Sequence, residues 1–348
     1  MLVIQTAKIG DLICSTPIFR EIKKAYPDAR LTAMVDPVTK ELLDNNPHVD
    51  EAITTGASGC RGFMGKLRLS RLIQKGRYDV AICMNPNVPY TIAVFFGLVP
   101  VRLSIMSDFS GMTFRLASAL YTHIEKHLRG KLVIETYLHM LTVIGIGSND
   151  ISLEIYPTEE ADIKVQQVIG EANGRPIIGI AVSSGNKLKA LGVESISRFV
   201  NQLVDTLDVY VALIGSAGDS DDARAIASSA AKKHRVIDAT GTLSLKELPS
   251  LIRRLSLFIS VDTGIAYMAN ALSIPIIHIP GPVNVSEQRP VGDNVFIVEQ
   301  NPRCAPCTYV FKTVHACRKG TRECITSEDI LSAALRVAQC VIHPKESE

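Results

Sequence analysis

The chain has 348 residues, 47% of them hydrophobic and 21% charged, which fits two domains of ordinary size, each burying its own core. A net charge of only +2 argues against nucleic-acid binding, and no uninterrupted apolar run reaches the roughly 18 residues of a membrane span. Met1-Leu2-Val3-Ile4-Gln5 runs directly into a strand-like segment with no charged leader, so a cytoplasmic rather than an exported protein is expected.

Leu2 to Gln5 reads as a strand. It is followed by the glycine loop Lys8-Ile9-Gly10-Asp11 and an amphipathic helix from Ile18 to Tyr26. Asp11 then sits at the carboxyl end of the first strand, where open parallel sheets place their ligands. A carboxylate there is either a general base or a helix cap. Further strands are expected at 31–35, 51–54 and 78–84, with helices at 39–45, 90–96 and 135–144. Alternation of this kind indicates a parallel α/β sheet. Between Arg61 and Arg77 the chain also carries Lys66, Arg68, Arg71 and Lys75 with no acid, interleaved with Phe63, Met64, Leu67 and Leu72. This stretch fits an amphipathic helix whose basic face meets water, an anionic membrane surface or an acidic acceptor. Gly145, Gly147 and Pro157 mark a seam at 146–160.

The second half restarts the alternation. A buried strand at 177–182 leads into Ser183-Ser184-Gly185-Asn186-Lys187-Leu188-Lys189, a loop rich in hydroxyls and amines. A helix at 195–206, strands at 209–214 and 236–238, and a helix at 245–255 follow. The apolar run from Leu255 to Ile259 then opens onto Asp262-Thr263-Gly264 and a helix. Such a strand-to-helix corner suits a diphosphate, because the free helix amides and the helix dipole favour negative charge there; the alternative is a simple N-cap. Ile274 to Ile279 is the last expected strand, closed by Pro280-Gly281-Pro282. There is no Gly-x-Gly-x-x-Gly after the first strand, no Gly-x4-Gly-Lys-Ser/Thr and no Gly-x-Ser-x-Gly, which weighs against dinucleotide dehydrogenases, P-loop enzymes and esterases.

Taken in order, Lys8-Ile9-Gly10-Asp11, the Lys189 loop, Asp238-Ala239-Thr240-Gly241, Asp262-Thr263-Gly264, Gly281-Pro282 and a cysteine-rich tail resemble the lipopolysaccharide heptosyltransferases. These are inverting glycosyltransferases of GT-B architecture, an α/β fold of two Rossmann-like doubly wound domains facing a central cleft. The resemblance implies an acceptor-binding domain at 1–155, a nucleotide-sugar domain at 156–325, and a closing helix at 326–348 that packs back on the first domain. It further implies Asp11 as the base, with Lys8 and Gly10 near the acceptor. Ser183, Ser184, Gly185, Lys189, Asp238, Asp262, Thr263, Gly264 and Tyr267 would hold ADP-heptose. An anionic lipopolysaccharide-core acceptor, peripheral contact with the inner face of the inner membrane, and no cofactor for catalysis complete the expectation. The chain departs from the family where Tyr267 replaces a histidine and where Lys189 is followed by Ala190-Leu191-Gly192 rather than Trp-Pro. A transferase for another nucleotide sugar or a protein acceptor, and a non-catalytic sugar-nucleotide binder, remain as alternatives.

Of eight cysteines, four form Cys304-x2-Cys307-x9-Cys317-x6-Cys324. They are either thiolate ligands of a closed, structural zinc or iron site or free thiols. The final helix is expected from Thr326, with Ile330, Leu331, Ala334, Leu335 and Ala338 on one side.

Overall fold

The computed structural model describes residues 1–54, 62–85, 87–170, 172 and 174–343. The chain divides into two compact units, Met1–Ile155 and Tyr156–Glu348. The first holds a six-stranded parallel sheet built from β1 (Leu2–Gln5), β2 (Thr32–Val35), β3 (Glu51–Thr54), β4 (Val80–Cys83), β5 (Val101–Met106) and β6 (His123–Lys126), in the order β3-β2-β1-β4-β5-β6. Every residue of β1, β2 and β4 is buried, as expected of strands covered by helices on both faces. The register sets Leu2 beside both Thr32 and Ala81, so β1 is a central strand.

The helix Thr16–Ala25 turns Ile18, Phe19 and Ile22 inward and also buries Arg20. That guanidinium donates to the carbonyls of Asp150 and Ser152 at 2.8 and 2.7 Å and pairs with Glu21, Asp150 and Glu154 at 2.9 to 3.1 Å. A buried cation needs this many acceptors, and meeting them ties segment 150–154 to the first unit.

The second unit repeats the plan with β7 (Ile177–Ala181), β8 (Tyr210–Ile214), β9 (Val236–Asp238), β10 (Leu257–Val261), β11 (Ile276–Ile279) and β12 (Val295–Ile297), ordered β12-β11-β10-β7-β8-β9. In each sheet the chain first builds outward on one side of its first strand and then crosses to the other. The switch points are β1/β4 and β7/β10, and open α/β sheets bind ligands at the carboxyl ends of such pairs.

The last helix is Glu328–Ile342, starting two residues after Thr326: Ser327 is the N-cap and accepts from the Asp329 amide. Its Ile330, Leu331, Ala334 and Ala338 join the second unit's own core with Leu203, Ile277 and Ile279. Among the described residues no helix is long and apolar enough to cross a membrane.

Candidate functional site

In the first unit, Asp11 lies in the short helix Ile9–Ile13 directly after β1, half-buried. Its Oδ2 accepts from the Lys8 amide at 3.2 Å, so the carboxylate does act within a capping turn, and Gly10 is buried behind it. Gln5, fully buried at the end of β1, donates to the Asp11 carbonyl at 3.3 Å and to Ser15 Oγ at 3.0 Å, while Ser15 Oγ donates to the same carbonyl at 2.8 Å. The backbone of Asp11 is thereby fixed from two sides. Beneath it the Tyr137 phenol is raised well above its ordinary value, by burial first and by the charge of Asp11 second, so it stays neutral. Gln5, Ser15 and Tyr137 were not singled out by sequence. Lys8 is exposed, and its backbone amide is the donor to Asp11.

In the second unit, the loops after β7 and β10 come together because those strands are neighbours. Lys189, in the turn Lys187–Lys189, pairs its ammonium with Asp262 Oδ2. Tyr267 donates to Asp262 Oδ1 at 3.2 Å, and Ser184 Oγ donates to the Asp262 carbonyl at 3.0 Å. Asp262 is thus the hub of the corner rather than a helix cap. Thr263 is the N-cap residue of the helix Gly264–Ala271, yet its side chain makes no capping bond. Tyr267 is buried, with its hydroxyl turned to Asp262.

Ser183 points the other way, donating to Asp219 Oδ1 at 2.5 Å. Asp219 also accepts from the Ser216 amide and hydroxyl at 2.7 Å each. Burial pushes its carboxyl up, but these three donors prevail and hold it below the usual range. A Ser-x-x-Asp capping pattern after β8 was the sequence signal that could have revealed it. Asp238 ends edge strand β9, and its carboxylate takes the Thr240 amide and hydroxyl at 3.0 and 2.6 Å. Gly241 closes this turn at φ 63°, where a Cβ would meet Ala217 Cα at 2.7 Å; only glycine allows the two loops to touch. Gly185 is exposed at the tip of the Ser183–Lys189 loop.

His278 was also missed. It is fully buried on β11 with neither ring nitrogen hydrogen-bonded among the described residues. Burial lowers its pKa to about 4, against the opposing pull of Asp262. An unfolded histidine takes up its proton near 6.5, so between about pH 6.5 and 4 the unfolded chain binds more protons. Stability is therefore lost as pH falls through that window, by about 3 kcal/mol at most from this group. The His278→Leu variant should lose melting temperature less steeply from pH 6.5 to 4 than the parent chain. Parallel curves would sink the assignment.

The four tail thiols occupy one region. Burial raises Cys307 and Cys324, with neighbouring thiols adding to the effect, while backbone N–H groups led by that of Arg322 lower Cys317. Among the described residues no three His, Cys, Asp or Glu side chains make a group that could hold a metal ion. Cys324 is buried while Cys304 is exposed. A cavity of about 550 Å³ opens near Met1, Arg30, Lys75 and Asp79, at the amino ends of the first sheet and away from Asp11.

Residues 66–315, well over half of the chain, match the family model for glycosyltransferase family 9 (heptosyltransferase). The lipopolysaccharide heptosyltransferase 3 of Escherichia coli is 24% identical over 294 residues, covering 82% of this chain and 84% of that one. Among solved structures, a glycosyl transferase family 9 protein from Veillonella parvula superposes with a TM-score of 0.79 at 19% identity, over 98% of this chain and 96% of its own. The E. coli ADP-heptose lps heptosyltransferase II gives 0.73, also at 19% identity, over 97% and 99%.

Proposed function

This chain belongs to glycosyltransferase family 9, the heptosyltransferases, and from that premise we propose that it moves a heptose from ADP-heptose to a lipopolysaccharide-core hydroxyl with inversion. Membership makes it a glycosyltransferase of lipopolysaccharide heptose transfer; the donor, the base and the stereochemistry are the proposal. The observation that carries it is the cluster of Lys189, Asp262, Ser184 and Tyr267 at the carboxyl ends of β7 and β10, the switch point of the second sheet.

In this reading Asp11 accepts the proton of the acceptor hydroxyl as that oxygen attacks the anomeric carbon. The bond to the diphosphate breaks on the opposite face, and ADP leaves with the electron pair. Lys189 and the amides opening the Gly264–Ala271 helix offset the charge on the departing phosphate, Gly185, Thr263 and Gly264 let it approach the backbone, and Asp238 takes ribose hydroxyls. Tyr267 acts through Asp262, which orients Lys189. Lys8 and Gly10 shape the acceptor side.

The acceptor is anionic and membrane-borne, and the protein works as a cytoplasmic, peripheral visitor to the inner face of the inner membrane. The Gly62–Gly76 helix supports this: Phe63, Met64 and Leu72 are exposed beside exposed Arg68, Arg71 and Lys75, with no acid in the helix. Arg61 lies outside the described residues.

The test is ADP release from ADP-heptose with a heptose-bearing core acceptor, together with the anomeric configuration of the product. Release only with uridine-linked sugars, or none with any donor, would overturn the reading. Presenting the acceptor in anionic rather than neutral vesicles should raise the rate; equal rates would remove the membrane contact.

A further inference from the structure

The turn Lys187–Lys189 is a single 3-10 turn, too short to hold its own position. Inside the turn, Asn186 Oδ1 accepts from the Leu188 amide at 3.1 Å. The cysteine-rich tail supplies further fixing. Asn186 Nδ2 donates to the Val314 carbonyl at 2.8 Å, and Arg322 Nη2 donates to the carbonyls of Leu188, at 3.5 Å, and Ala190. The residues on either side of Lys189 thus present their carbonyls to one guanidinium.

The tail is itself fastened at a second place. The amides of Cys307 and Thr308 both donate to the Pro282 carbonyl at 3.0 Å, and the Asn284 amide donates to Thr308 O at 2.9 Å. Gly281, at φ 59°, lies so close that a Cβ would stand 3.0 Å from Ile325 Cδ1. Arg322 has a backbone φ of 54°, a left-handed conformation that is unfavourable for a non-glycine residue and persists where the surroundings over-determine it. Its guanidinium is the group that spans two carbonyls; a lysine ammonium at the same place is a point charge on a freer stem.

We propose that Arg322 is a positioning residue for Lys189, so that the tail, through this one side chain, sets how well the second unit grips a diphosphate. The proposal rests on the reading of Lys189 as the phosphate-binding cation. A displaced turn carries the ammonium away from its place while leaving the fold of the unit intact, and displacements on the order of 1 Å are enough to matter for a charged contact.

The experiment is a double-mutant cycle on the full chain, with ADP as the probe in calorimetry and melting temperature measured alongside. Arg322→Met should weaken ADP binding about tenfold, and Arg322→Lys should recover only part of that loss. In the Lys189→Ala background Arg322→Met should cause no further loss, because the group it positions is gone. A purely structural role would lower the melting temperature while leaving the ADP affinity of the folded protein unchanged, and that result overturns the proposal. So do losses that multiply in the double variant. Should Arg322→Met not fold, Arg322→Lys runs the same cycle. If Lys189→Ala alone binds ADP like the parent chain, the phosphate reading of Lys189 fails by itself, and any loss from Arg322 variants then has another route and overturns the positioning role as well.

Discussion

Asp11→Asn should lower turnover with ADP-heptose and acceptor by about 10²- to 10⁴-fold, the range for removal of a general base, while leaving donor affinity unchanged. Asparagine is the informative choice because of what Asp11 already does. Its carboxylate accepts from the Lys8 amide at 3.2 Å, and an asparagine oxygen can take the same bond. The short helix Ile9–Ile13 therefore stays capped, and Gln5 and Ser15 still hold the backbone carbonyl. Asp11→Ala removes both the proton acceptor and the cap, which adds about 1 kcal/mol of destabilisation. A carboxylate that only caps predicts near-normal turnover for asparagine and a stability loss for alanine. A carboxylate that accepts the proton predicts two dead enzymes, of which only the alanine variant melts early. Steady-state ADP release together with thermal unfolding separates the cases, and an active Asp11→Asn variant removes the base.

How far the sequence reveals this molecule depends on where each residue's partners lie. Strands such as β1, β4, β7 and β10 are continuous apolar runs because both faces are covered, and they are readable for that reason. Three strands are not. β12 and β6 lie at sheet edges and are half exposed, so neither carries a buried run. β5 is hidden by polar residues whose partners are backbone carbonyls: Arg102 donates to those of Val99 and Leu120 at 2.6 and 2.7 Å, and Ser104 Oγ to that of Cys83 at 3.0 Å. The site divides the same way. Asp11, Lys189 and Asp262 announce themselves as polar residues at strand ends, but the pairing of the last two follows only from the crossover that makes β7 and β10 neighbours. Asp219 and Arg322 act on loops far from them in sequence, and His278 sits inside an apolar strand pattern where a histidine carries no signal. At Tyr267, where the chain departs from the family's histidine, the hydroxyl donates to Asp262, and a hydrogen bond there requires no positive charge.

Lys189→Ala should weaken ADP binding and lower turnover by about 10²- to 10³-fold, the effect of losing one preorganised group that stabilises a leaving charge. The variant also does something else. Lys189 and Asp262 are both largely buried, with side chains 15% and 8% exposed, so deleting the ammonium strands a carboxylate that still accepts from the Tyr267 hydroxyl at 3.2 Å. Breaking a buried pair from one side costs about 3–5 kcal/mol, and a loss of binding could simply reflect a damaged corner. The double variant Lys189→Met with Asp262→Asn separates the two effects. It removes both charges together, keeps an amide oxygen for Tyr267 and fills the space of the lysine stem, so most of the melting temperature should return. ADP affinity should not return with it, because no cation remains to meet the phosphate. Recovery of binding along with stability would mean that the ion pair only holds the loops after β7 and β10 together, and that the phosphate is gripped by the helix amides alone.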